Sequence, residues 1–201
     1  MKKLFIPLIL LAFTGFKTPD SALTEQERKA AIVHLTETKE FLQKSIKGLS
    51  TAQLNFKSSP ESWSVAECVE HIAISESMIF GMTEGGLKAP ADPSKRAEVK
   101  MSDEQIFGMI TDRSGKVKTS EAFVPTGKFG SYDGSLKEFL TKRDSHIDFI
   151  KTTQDDLRNH YATLPFGLID TYQVVVFMAG HTKRHTLQIE EVKANANFPK
   201  K

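Results

Sequence analysis

Residues 169–194 have the sequence IDTYQVVVFMAGHTKRHTLQIEEVKA, and this segment sets the architecture of the chain. Its run from Val174 to Met178 is too apolar for a helix with a face in solvent, so it predicts a helix that lies deep in a core. His181 and His185 follow in the same segment. Their spacing of four residues places both imidazoles on one face, about one turn apart. One helix therefore carries both the most apolar stretch and a pair of candidate ligands.

Three more long helices are predicted from helix start and stop signals. Thr24 with Glu27, and Ser64 with Glu67, have the spacing of a capping box, in which each residue satisfies a backbone N–H group of the other. The predicted long helices cover residues 24–47, residue 64 to the Gly85-Gly86 pair, 135–151 and 169–194. A short helix is predicted at 102–112. No convincing run of alternating apolar residues indicates a strand.

The fold class that follows is all-α, a four-helix bundle with long crossover connections. The chain between the second long helix and Met101 is polar and contains two prolines, as an exposed connection does. A second long connection includes Pro125, Gly127 and Gly130. Two links of this length exclude a simple up-and-down bundle with short turns.

Composition is that of one soluble domain. Of the 201 residues, 39% are hydrophobic and 26% are charged. The 27 basic residues are interspersed with 25 acidic ones, and the net charge is +2. The sequence therefore shows no basic patch of the kind that binds nucleic acid. Cys68 is the only cysteine, so no intrachain disulfide forms, and its expected role is that of a small buried apolar residue.

The first 22 residues predict a signal peptide. Lys2 and Lys3 precede an apolar stretch from Leu4 to Phe16, which has the length of a signal-peptide core and is short for a membrane span. The expected organisation is a signal peptide at 1–22 and one domain at 23–201, exported to the periplasm or secreted. No membrane association is expected after cleavage; the alternative is an uncleaved anchor.

Three histidines are the candidate metal ligands. On a helical wheel His185 lies within about 20° of Val174 and Met178, and His181 within about 40° of His185, so both rings face the core. His71 borders the apolar stripe of the second long helix. Buried ring nitrogens need partners, because each unpaired one costs about 1–3 kcal/mol. Two interpretations stay open: separate hydrogen bonds to neighbours, or one shared metal ion.

Two polar residues have an expected role under both interpretations. Glu67 lies one turn before His71, and Gln188 lies near the face of His185. They are either the hydrogen-bond partners of separate histidines or the groups that fix the ring tautomers of metal ligands.

The other histidines are expected to lie outside this site. His34 and His146 each flank an apolar helical position, which is typical of a histidine at a core margin. His160 precedes a Pro-Phe-Gly turn and is a candidate for the lining of an entrance. The sequence has no HExxH, CxxC or GxSxG motif and no phosphate-binding glycine loop, so nucleophilic serine or cysteine catalysis has no specific support.

Two segments resemble the DinB-like family of metal-binding four-helix bundles. They are PESWSVAECVEH at residues 60–71, in which a tryptophan and a capped helix start precede a histidine, and GHTKRHTLQI at residues 180–189. The resemblance extends in order and spacing over the mature chain. It implies a site of three histidines, His71, His181 and His185, for zinc, nickel or a related divalent ion. It also implies frequent homodimerisation.

Two classes of function are expected. Characterised members of the family include S-transferases and isomerases that use low-molecular-weight thiols, and three neutral histidines leave a metal position open for water or a thiol. The first expectation is therefore a metal-dependent hydrolase or thiol S-transferase whose small-molecule substrate is unknown. The alternative is a non-catalytic bundle that binds a ligand or partner and uses a structural metal. A predicted export signal favours hydrolysis over S-transfer, since small thiols are mainly cytoplasmic.

Overall fold

The computed structural model of the protein describes residues 23–115 and 118–200. Within these ranges it contains six α-helices and one antiparallel hairpin. In chain order the elements are α1 (Glu25–Ile46), α2 (Thr51–Leu54), α3 (Val65–Leu87), α4 (Asp103–Thr111), α5 (Tyr132–Thr152), β1 (Tyr161–Leu164), β2 (Gly167–Asp170) and α6 (Thr171–Lys193). Short 3-10 helices at Pro93–Glu98 and Glu121–Phe123 lie in the long connections. The predicted signal peptide, residues 1–22, lies outside the described residues.

The four long helices α1, α3, α5 and α6 form the predicted bundle, and the all-α class is confirmed. Helix α6 lies at its centre, where it packs against α3, α1 and the short helix α4. Its apolar run is buried as expected: the side chains of Val174, Val175, Val176 and Met178 are at most 2% exposed. Within the described ranges, each helix is too short or too polar to cross a lipid bilayer.

Local capping signals fix most of the helix starts. The backbone N–H of Glu27 donates to Thr24 Oγ1 at 3.2 Å, and that of Glu67 donates to Ser64 Oγ at 3.2 Å. Both carboxylates also accept from the cap backbone, so the predicted capping boxes are confirmed. Helices α4 and α6 begin in the same way, after Ser102 and Asp170.

The predicted start of α5 at Ser135 is wrong. The helix begins at Tyr132, because Ser131 is the cap and its Oγ accepts the N–H of Gly134 at 3.0 Å. A side chain at position 134 would lie 2.3 Å from the carbonyl oxygen of Phe129, so only glycine allows the chain to enter the helix at this angle.

Helix α3 continues through the Gly85-Gly86 pair to Leu87, so this predicted end is also wrong. Gly86 permits a close contact here: a Cβ atom on it would lie 2.7 Å from the side chain of Thr171. Glycine at this position lets the end of α3 pack against the first turn of α6.

A short hairpin precedes α6 and was not expected from the sequence. Strands β1 and β2 pair antiparallel from Tyr161 opposite Asp170 to Leu164 opposite Gly167. Each strand has four residues, too few to display a convincing apolar alternation. Because residues 167–170 belong to β2, α6 begins at Thr171 and not at the predicted Ile169.

A buried polar layer divides the core into two apolar clusters. The side chains of Arg143 and Glu76 are both 0% exposed, and they form a bidentate ion pair with N–O distances of 2.8 and 2.7 Å. Arg143 also donates to Leu35 O and to the hydroxyl groups of Thr38 and Thr182. The apolar residues before and after this layer in each long helix belong to different clusters. The layer thus connects α1, α3, α5 and α6 through one guanidinium group.

Candidate metal centre

The structure brings the three candidate histidines together. His71 projects from α3, and His181 and His185 project from α6. The Nε2 atom of His71 lies 3.3 Å from Nε2 of His181 and 3.0 Å from Nε2 of His185. His71 and His185 are buried, and His181 is half-buried. Three ring nitrogens from two helices therefore converge on one point at the edge of the core.

Hydrogen bonds fix the tautomers of two of the rings. The Nδ1 atom of His71 lies 2.7 Å from the carbonyl oxygen of Phe123, and Nδ1 of His185 lies 2.9 Å from Oε1 of Gln188. Both of these oxygens are acceptors only. Each ring must therefore carry its proton on Nδ1, which leaves a lone pair on Nε2.

The lone pairs of His71 and His185 face each other at 3.0 Å. Two lone pairs at this distance repel, whereas a cation between them would bind both. Ligands about 2.0–2.1 Å from one tetrahedral ion lie roughly 3.3 Å apart, close to the spacings in this cluster. The donor set therefore fits a divalent metal ion.

The cluster contains imidazoles only. In the part of the chain that the structure describes, no carboxylate or thiolate belongs to it. Three neutral ligands leave the full charge of a divalent ion uncompensated, and a tetrahedral ion with three protein ligands takes its fourth ligand from solvent or substrate.

The protein keeps all three rings neutral, which is the form that binds metals. Burial lowers the pKa of His71. Burial, followed by the proximity of His185 and His71, holds the pKa of His181 well below its ordinary value. Burial and the neighbouring His71 lower the pKa of His185 to about 3. Near neutral pH, protons therefore do not compete with a metal for these nitrogens.

Acid is expected to destabilise the metal-free protein. The folded-state pKa of His185 is about 3, below its ordinary value of 6.5. Between these two values the unfolded chain binds more protons than the folded one. The contribution of neutral His185 to the folding free energy is therefore fully present above pH 6.5 and is lost as the pH falls toward about 3. Each histidine that stays neutral contributes a slope of up to about 1.4 kcal/mol per pH unit. Urea unfolding of chelator-treated protein from pH 7 to pH 5 measures it, and His185→Gln should have a shallower slope; equal slopes would contradict this origin.

Glu67 does not contact His71, so its predicted role in orienting that ring is wrong. Its Oε2 accepts the backbone N–H of Ser64 at 2.7 Å, and its Oε1 forms an ion pair with Lys57 at 2.7 Å. The capping box therefore occupies this carboxylate. The loop carbonyl of Phe123 takes its place at His71, while Gln188 contacts His185 as expected.

Trp63, the tryptophan of the segment 60–71, forms one wall of the site. Its ring centroid lies 4.7 Å from that of His71 and 6.0 Å from that of His185. Trp63 and His185 both line a cleft of about 570 Å³. A signal for this position existed, since Trp63 immediately precedes the cap of the helix that carries His71.

Most of the other residues that line the cleft are polar. Arg113 forms a bidentate pair with Glu191, with both N–O distances at 2.6 Å. Arg184 donates to the carbonyl oxygens of Asp112 and Gly115, so it ties the chain after α4 to α6. The cleft gives solutes a polar route to His185.

The remaining histidines lie outside the cluster. His34 stacks on Phe107 at 4.4 Å, and Nδ1 of His146 contacts Glu76 at 2.8 Å. Nδ1 of His160 contacts the carbonyl oxygen of Gly86 at the far end of α3. Cys68 is buried as predicted, and burial raises the pKa of its thiol to about 12, which makes it a poor nucleophile.

Comparisons with known proteins find a matching family model, a related sequence and a similar structure. The family model described as the DinB superfamily matches residues 34–189, which include all three histidines. The chain is 28% identical over 149 residues to the uncharacterised protein YuaE of Bacillus subtilis (strain 168), an alignment covering 74% of this chain and 88% of that protein.

The structure is similar to that of YfiT from Bacillus subtilis, described as a probable metal-dependent hydrolase with an unusual four-helix bundle topology. The TM-score is 0.56 at 15% identity, and the superposition covers 87% of this chain and 90% of that one. At this identity the likeness establishes a shared fold.

Proposed function

Because this chain belongs to the DinB superfamily, we propose that it binds one divalent metal ion through His71, His181 and His185 and acts as a metal-dependent hydrolase. The observation that carries the proposal is the pair of Nε2 lone pairs of His71 and His185, 3.0 Å apart, on rings whose Nδ1 atoms are both engaged as donors. YfiT, which shares the fold, is itself described as a probable metal-dependent hydrolase. Zinc and nickel are the candidate ions.

When bound, such an ion supplies Lewis acidity, which lowers the pKa of a ligand water toward about 7 and polarises a substrate carbonyl. The protein's own part is to hold its ligands. Phe123 O and Gln188 Oε1 keep the two rings in the Nδ1–H tautomer. The indole of Trp63 shields His71 from bulk water, and its edge of the cleft provides an apolar surface for substrate.

The cleft favours a catalytic site over a structural one. A structural zinc site is closed by four protein ligands, whereas the described residues place three in this cluster, and one of them, His185, lines a cleft. Hydrolysis is preferred to thiol S-transfer because the signal peptide predicted at residues 1–22 would take the protein away from the cytoplasmic thiols.

Metal analysis and a substrate panel test the proposal. Protein purified without an affinity tag is expected to contain one zinc or nickel ion per chain. It is expected to hydrolyse members of an ester and amide panel, to lose this activity with a chelator and to regain it when the metal returns. His34→Ala is the matched control, because it removes a half-buried histidine outside the cluster.

Two results would overturn the proposal in different ways. Wild-type protein that binds no divalent ion would remove the metal centre itself. A stoichiometric ion without hydrolysis, together with transfer to or from thiol conjugates, would assign the site to S-transfer instead.

A further inference from the structure

We propose that Glu70 is a positioning residue for the histidine cluster, an inference that rests on the proposed function because the cluster it serves is the metal centre. Glu70 precedes His71 on α3 and is 8% exposed. It contacts none of the three rings. It acts through the loop whose carbonyl group fixes the tautomer of His71.

The contact of Glu70 is a clamp on the backbone of this loop. Its Oε1 atom accepts the N–H of Thr126 at 3.0 Å and the N–H of Lys128 at 2.7 Å. Gly127, between these two donors, has a φ of 78°. This left-handed conformation, which glycine adopts without strain, allows alternate N–H groups to converge on one anionic oxygen.

The clamp begins at Thr126, three residues after Phe123, whose carbonyl oxygen contacts His71. Phe123 closes a 3-10 turn, with its N–H donating to Ser120 O at 2.9 Å, and Pro125 stiffens the chain between Phe123 and Thr126. The carbonyl of Phe123 is therefore held on one side by a hydrogen-bonded turn and on the other by Glu70. Its distance of 2.7 Å from His71 Nδ1 depends on both.

Glu70 has no role at the helix start that would explain its burial. It is the sixth residue of α3, beyond the first turn, and the capping functions belong to Ser64 and Glu67. Gln188 shows the simpler arrangement, in which a side chain contacts His185 directly. At His71 a backbone oxygen, that of Phe123, accepts the Nδ1 hydrogen bond, so a second residue has to hold this part of the backbone in place.

Three variants on α3 separate positioning from stability. Glu70→Ala removes the clamp, Glu70→Gln keeps an acceptor oxygen, and Thr83→Val is the matched control. Thr83 is likewise buried on α3 and bonds to a distant backbone carbonyl, that of Thr171 at 3.3 Å, but lies far from the cluster. Affinity for zinc is measured by competition with a chromophoric chelator, and the His71 tautomer by ¹⁵N chemical shifts of the metal-free protein.

Glu70→Ala is expected to lower zinc affinity by roughly 10–100-fold, the usual effect of losing a partner that orients a ligand. Its His71 should change from a pure Nδ1–H form to a mixture of tautomers. Glu70→Gln should restore most of the affinity, and Thr83→Val should lower the melting temperature without changing affinity.

Unchanged affinity in Glu70→Ala would overturn the role of Glu70 while leaving the metal centre intact. So would wild-type amides of Thr126 and Lys128 that exchange with solvent at unprotected rates, a measurement that needs no variant. Absence of metal binding by the wild type would instead remove the proposed function, and this inference with it.

Discussion

Replacing His185 with alanine is expected to abolish stoichiometric metal binding and to leave a folded bundle. In the proposed metal centre His185 supplies one of three ligand nitrogens, and its Nε2 lies 3.0 Å from that of His71. Loss of a residue that merely orients a ligand costs about 10–100-fold in affinity, so loss of the ligand itself should cost more than about 100-fold. The fold should survive because both apolar clusters remain complete.

Two measurements on the same sample check this expectation. Competition with a chromophoric chelator gives the zinc affinity, and circular dichroism gives helix content and melting temperature. Excess zinc should raise the melting temperature of the wild type and not that of His185→Ala, because only a ligand that binds the folded state stabilises it. Retention of one equivalent of zinc at wild-type affinity would show that the ion binds elsewhere.

Replacing Arg143 with methionine is expected to cost about 3–5 kcal/mol of folding free energy, because it leaves the buried Glu76 carboxylate without its cationic partner and with His146 alone. Both side chains are 0% exposed. Burial acts to raise the pKa of Glu76, but Arg143 and His146 outweigh it and hold this pKa below its ordinary value. The charge of Glu76 therefore depends on its partners, and urea unfolding measures the loss.

The double variant Arg143→Met, Glu76→Leu supplies the control. Replacing both members of a buried ion pair by apolar residues of similar volume is often neutral or stabilising, so the double variant should recover most of the lost stability. A double variant as unstable as the single one would mean that Arg143 stabilises the bundle through its threonine and backbone contacts, not through Glu76.

The sequence predicts the parts of this protein that are encoded locally. The starts of α1 and α3 follow from capping boxes whose two partners are three residues apart. The orientation of His181 and His185 toward one face follows from their spacing of four on one helix. The prediction of the start of α5 was wrong because Ser131 and Ser135 are equally good caps by residue type. What selects Ser131 is the close approach of Phe129 O to Gly134, a contact that no residue pattern displays.

The surroundings of the histidines were less predictable for the same reason. Helical spacing favours Glu67 as a partner for His71. In the structure its carboxylate instead accepts the backbone N–H of Ser64 in the capping box. The actual partner is a backbone carbonyl 52 residues away in the chain, and a backbone atom has no sequence signature. Arg143 and Glu76 are 67 residues apart, and no periodicity relates them.

The guanidinium of Arg143 has a consequence for the axial register of the helices. A guanidinium has five N–H groups, and those of Arg143 make five hydrogen bonds, to acceptors on α1, α3 and α6. Apolar side chains tolerate sliding, but a slip of one residue, about 1.5 Å, would break these bonds. Thr182 adjoins His181, and Glu76 lies little more than a turn beyond His71. Arg143 thus sets the axial depth at which the histidines of α3 and α6 meet.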